Sequence, residues 1–237
     1  MHNATKTILF KEFKAYFSSP IAYIFITLFL VVTTQLFFMN FFIANDANMR
    51  SYFALLPWIF LLFVPAISMR LVAEERRSGT IELLMTLPVT EWQVVLGKYF
   101  SSLLFLAVSV LLSFPIVVML YYLGSPDLGP IIGGYLGGIF MGAAYLAIGL
   151  FVSSITQNQI VAFIVSAIII FAFLLLGLPA VLFNIPSFLV PLFKWLSLYD
   201  HFTSIARGVV DLRDIFYYLS MIVFFLFLSH NALKNRS

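Results

Sequence analysis

The residues able to do chemistry gather in two places. The first is Glu74-Glu75-Arg76-Arg77, followed by Ser78, Gly79, Thr80, Ile81, Glu82, Leu83 and Leu84. Paired carboxylates beside paired guanidiniums, with an apolar string behind them, suit ionic docking to another protein more than bond making. The second is Asp200-His201, with Arg207, Asp211, Arg213 and Asp214 downstream. Asp200-His201 invites a metal site, but no second His or Cys stands at ligand spacing. The downstream charges read instead as surface pairs that fix the entry into the last apolar run. The histidines are His2, His201 and His230, and neither H-E-x-x-H nor G-x-S-x-G occurs, so an intramembrane enzyme is disfavoured. No G-x-x-x-x-G-K-[ST] loop is present, so the chain cannot itself supply ATP hydrolysis.

These groups must be carried by membrane helices. Of 237 residues, 62% are hydrophobic and 10% charged, against roughly a quarter charged in soluble domains. Six apolar runs, near 21–43, 52–71, 94–123, 131–152, 160–182 and 215–233, are long enough to cross a ~30 Å hydrocarbon core. The reading is an all-α membrane protein of six transmembrane helices. The first run, about 23 residues, exceeds a signal-peptide core and stays as an anchor. Nine Lys and Arg fall on the N-terminal side of the membrane and four on the other, which predicts cytoplasmic termini. The +3 net charge sits beside apolar spans and is no nucleic-acid signal, and the lack of cysteine excludes disulfides and thiolate chemistry.

Residues 5–17 predict an interfacial helix with Ile8, Leu9, Phe13, Tyr16 and Phe17 on one face, laid on the headgroups. Ser18-Ser19-Pro20 breaks it from the first span; a frayed basic tail is the alternative. In the segment 74–90, Ser78 is read as capping a short helix that starts at Gly79 and ends before Pro88, with Glu74 and Glu75 at its collar. Thr90 and Gln93 have the spacing of a capping box for the third span. Such an apolar helix suits a groove on a soluble partner, or else folds onto the chain's own surface. Gly134, Gly138 and Gly142 repeat G-x-x-x-G in the fourth span, a close-approach pattern for packing within the subunit or between subunits. The interior offers only mild polar groups, Gln35, Asn40, Ser109, Ser113 and Tyr145, which favours an amphiphilic cargo or transmitted motion over an ion path. A membrane scaffold that moves no cargo is the alternative.

The string EERRSGTIELLMTLPVTEWQVVLGKYF resembles the coupling segment of ABC-2-type exporter permeases. KEFKAYFSSPIAYIFITLFL and SLYDHFTSIARGVVDLRDIFYYLS resemble the two ends of the gliding-motility and copper-processing branch, so the likeness runs through nearly the whole chain. It implies a single transmembrane domain over 1–237, working as a dimer above two ATPase subunits that hold ATP and Mg, with no cofactor on this chain. Gly79, Thr80, Ile81, Glu82, Leu83 and Leu84 would enter the ATPase groove, with Glu74 and Glu75 at its rim. Ser153–Gln159 is a lesser contact candidate. Dimer contacts would involve the first and fifth spans, leaving the glycines to packing within one subunit. Phe188, Trp195, Asp200, His201 and Arg207 would belong to short re-entrant helices forming an outer gate. The resemblance further implies a bacterial inner-membrane location, contact with lipid and a possible large extracytoplasmic auxiliary subunit.

Overall fold

The computed structural model describes residues 2–44, 48–81, 88–124, 126–209 and 211–234, and among these every regular element is helical. The helices are α1 (His2–Ser18), α2 (Pro20–Ala44), α3 (Arg50–Ser68), α4 (Ala73–Ser78), α5 (Glu91–Leu111) and α6 (Phe114–Leu123). After them come α7 (Leu128–Ile155), α8 (Gln159–Leu175), α9 (Pro179–Leu182), α10 (Val190–Leu196), α11 (Leu198–Ala206) and α12 (Leu212–Lys234).

Among the described residues five stretches are long and apolar enough to cross a membrane: Pro20–Met39, Arg50–Ser78, Glu91–Leu123, Leu128–Ile155 and Leu212–Lys234. The fifth expected span, 160–182, is shorter as a helix than its apolar run. α8 stops after 17 residues, and Pro179 then opens the four-residue α9. The expected span 94–123 is likewise two helices, because Pro115 lacks the N–H that would continue α5 into α6. Ser113 Oγ donates to the Val110 carbonyl at this break (2.7 Å) and lies 2.9 Å from the Tyr135 hydroxyl. Thr90 and Gln93 close the predicted capping box: Gln93 N–H donates to Thr90 Oγ1 (3.4 Å) and Thr90 N–H to Gln93 Oε1 (3.0 Å).

α7 is the central column. In its most apolar window 78% is buried, against 22% for α2. Two stripes of glycine make this possible. Gly134, Gly138 and Gly142 face α3, where an added methyl would strike Phe53 at Gly134, meet Leu56 Cδ1 at 3.1 Å at Gly138, and strike Leu106 of α5 at Gly142. Gly133 and Gly137 face α11, whose Leu198, Phe202 and Ile205 form its buried side. Without a hydrophobic drive between helices in lipid, such close backbone packing is what holds the bundle.

Candidate functional site

α4 is the structural base of the charged segment. Its six residues AEERRS end at Gly79, whose φ of +71° is the left-handed stop that glycine adopts without strain. The sequence predicts a helix from Gly79 with Ser78 as its cap; of this the structure corrects the role of Ser78. Ser78 Oγ bonds back to the Glu74 carbonyl at 2.9 Å and closes α4. Thr80 and Ile81 are helical again. Glu82, Leu83 and Leu84, the core of the expected docking helix, lie outside the described residues.

Three attachments hold α4 to the bundle. At its start, Ser153 near the end of α7 accepts from the N–H groups of Val72 (3.1 Å) and Ala73 (3.0 Å) and donates to the Met69 carbonyl (3.1 Å). One hydroxyl thereby supplies the cap that Val72 has no side-chain oxygen to make. Ser153, expected in a polar loop, is fully buried in α7. Arg76 Nη2 donates to the Ala232 carbonyl of α12 at 3.2 Å.

The third attachment is ionic. Lys98 of α5 is 2% exposed, and its ammonium lies 2.7 Å from Glu75 Oε1 and 3.1 Å from Glu12 Oε1 of α1. Glu74 and Glu75, set side by side at a groove rim by the sequence reading, are therefore separated: Glu74 is exposed and Glu75 turns to its own chain. Burying an ammonium demands such partners, since its desolvation would otherwise cost several kcal/mol.

α1 reaches this cluster by lying on α5. At Gly97 an added methyl would fall 2.9 Å from Ile8 Cβ, so the glycine permits the contact. Tyr16 stacks on Phe105 with ring centroids 4.7 Å apart, and Phe17 meets the same ring at 5.9 Å. Burial, with the Glu12 carboxylate nearby, pushes the Tyr16 phenol up, so it stays neutral. The apolar face predicted to lie on headgroups thus rests partly on protein, while Phe10 remains 63% exposed.

The second group of residues forms a clamp at the far end of the bundle. His201 Nδ1 lies 2.6 Å from Asp214 Oδ1, and Nε2 lies 3.0 Å from the Trp195 carbonyl. A carbonyl only accepts, so Nε2 carries hydrogen, and the Nδ1–Oδ1 contact then needs a second proton between its atoms. Tyr217 stacks on the imidazole at 4.0 Å and donates to the Leu196 carbonyl (2.6 Å), and Tyr218 donates to the Leu198 carbonyl (2.8 Å). α12 thereby grips the chain between α10 and α11. Asp214, expected in a surface pair, is instead buried; Arg207 caps its own helix through Nε to the Thr203 carbonyl (3.1 Å). No metal-holding cluster occurs among the described residues. Phe188 and Trp195 are 77% and 58% exposed.

Residues 55–234 match the family model described as "ABC-2 family transporter protein". The chain belongs to the ABC-2 family of transporter permeases. It is 29% identical over 160 residues, 67% of its length, to the "Probable multidrug ABC transporter permease YbhR" of Escherichia coli strain K12, and equally to that of strain O157:H7. The match covers 42% of each relative, so the ABC-2 chain described here spans less than half their length. This is a multi-pass membrane protein of a transporter-permease family.

Proposed function

We propose that this chain is the membrane subunit of an ATP-driven exporter, worked by a separate ATPase that docks on the segment 74–90. The observation that carries the reading is the placement of α4. The segment follows directly from a six-residue helix bonded to α5, α7 and α12, and through Lys98 to α1. A displacement of the segment is therefore delivered to four helices at once. Gly79, Thr80, Ile81, Glu82, Leu83 and Leu84 enter the ATPase groove, with Glu74 at its rim. ATP and Mg are held by the ATPase and no cofactor by this chain.

The working unit is a dimer of permeases with six spans each, α8 completing the set. At 1.5 Å per residue its 17 residues reach about 26 Å, near the ~30 Å core. α2 and α8 bring the copies together. On α2, Ile24, Leu28 and Val31 are 65%, 55% and 59% exposed at helical spacing, and on α8 Ile160, Ile164 and Ile168 are 67%, 48% and 61% exposed. The α9–α11 hairpin, with Phe188, Trp195, Asp200, His201 and Arg207, forms the outer gate, dipping into the bilayer edge. Both termini face the cytoplasm at the inner membrane. The cargo is an apolar or amphiphilic compound, in line with the relatives' multidrug description and the mild polarity of the interior. The likeness of the two end blocks to the gliding-motility and copper-processing branch supports a version in which motion is passed to an extracytoplasmic subunit. The cargo-free scaffold is not favoured by family membership.

Affinity purification of the full chain in mild detergent, followed by mass spectrometry, tests the assembly. An ATPase with a phosphate-binding loop is expected in stoichiometric amount; its absence under conditions that keep the permease dimeric removes the reading.

A further inference from the structure

The segment 74–90 is tied down at its exit as well as at its entry. Thr90 caps α5, and two residues on, Trp92 stacks its indole on His230 of α12. The ring centroids are 4.5 Å apart and the planes 14° from parallel. His230 Nδ1 is shielded from solvent with no hydrogen-bond partner among the described residues, so the imidazole engages its neighbour through its face. At the entry, Arg76 Nη2 donates to the Ala232 carbonyl. His230 and Ala232 both lie near the C-terminus of α12. The two ends of the segment therefore close on the same stretch of one helix.

That helix is built to pass on what it receives. Its 23 residues include neither glycine nor proline, so nothing in its sequence interrupts the backbone ladder. By contrast, α3 carries Pro57 and Pro65 inside it, and α5 parts from α6 ahead of Pro115. About 24 Å of helix, at 1.5 Å per residue, separates His230 from Asp214. There Asp214, Tyr217 and Tyr218 hold the α10–α11 turn. We infer that α12 is the strut that carries movement of the segment 74–90 to this far clamp, with the Trp92–His230 stack as its second attachment beside Arg76. This rests on the ATPase reading above. With one end fixed, a displacement would turn the segment about Arg76; with both ends fixed on α12, it is passed to that helix.

The test uses the purified permease–ATPase complex in lipid nanodiscs. ATPase turnover, ATPase retention and melting midpoint are read for Trp92→Ala and His230→Ala, and hydrogen exchange of residues 195–206 with and without ATP reads the far clamp. Wild type should show an ATP-dependent change there. Both Ala variants should keep the ATPase and the midpoint, while permease-dependent turnover falls at least about fivefold and the change at 195–206 is lost. Trp92→Phe and His230→Phe keep a ring in the stack and should restore both. Wild-type turnover with an intact ATP-dependent change in the Ala variants would overturn the inference. So would Phe variants no better than Ala, turnover that falls only in step with the midpoint, or no ATP-dependent change in wild type. A wild-type chain that retains no ATPase would instead remove the ATPase reading, and this inference with it.

Discussion

Lys98 shows how much one side chain can organise. It is buried in α5, yet joins α1 and α4, whose partner residues stand 86 and 23 positions away. Lys98→Met would leave two carboxylates facing each other; because Glu12 and Glu75 are 23% and 26% exposed, the loss is put at about 2–3 kcal/mol. Thermal unfolding in detergent should show a lowered midpoint, and Lys98→Arg should recover part of it. No loss in Lys98→Met would mean that the cluster contributes nothing to the fold. Ser153→Ala strips two buried N–H groups of their acceptor and should cost about 1–3 kcal/mol, read by faster proteolysis at the 69–73 turn; protection equal to wild type would remove the cap. None of these pairings was legible beforehand. Sequence reading counted Lys98 only as a cytoplasmic charge, although it lies five residues into an apolar run directly after Gly97. An ionisable residue so placed was the available signal. Ser153 gave none, since its partners stand 80 to 84 positions away, and nothing in the sequence paired His201 with Asp214.

Among the elements, the local breaks were the readable part. Pro20 and the Thr90–Gln93 box act through neighbours one to three residues away, and the structure holds both. Pro115 was equally visible, but a long apolar run concealed its consequence, the break between α5 and α6. The start of α4 could not be read because its cap comes from α7. α7 itself was legible as a glycine stripe but not as the column it proves to be, for its second stripe needs α11 as a partner. Gly134→Leu should overpack against Phe53 and cost at least about 1–3 kcal/mol, whereas Leu at Gly129, whose nearest neighbour is 3.9 Å away, should cost less. Comparing the two melting midpoints checks the packing; equal midpoints would contradict it. His201→Ala should loosen the α10–α11 turn from α12, leaving the Trp195 carbonyl and Asp214 without the imidazole while the Tyr217 and Tyr218 bonds remain. Hydrogen exchange in residues 190–206 should rise in that variant, and unchanged exchange would show that the imidazole is not the clamp.

At the scale of the whole molecule, the two ends of the bundle are bound differently. On one end, α4 gathers α1, α5, α7 and α12 through polar contacts beside the proposed coupling segment. On the other, α12 holds the α10–α11 turn through His201, Tyr217 and Tyr218. α7 and α12 run between the two, so a push on α4 has a packed route across the membrane. The central claim is that the segment beyond Gly79 receives that push from a separate ATPase. The direct measurement is ATPase turnover of the purified complex in lipid nanodiscs, comparing wild type with Glu82→Arg. The variant should keep its melting midpoint while the ATPase dissociates or loses its permease-dependent turnover. An ATPase that stays bound and turns over at the wild-type rate with Arg at position 82 would contradict it.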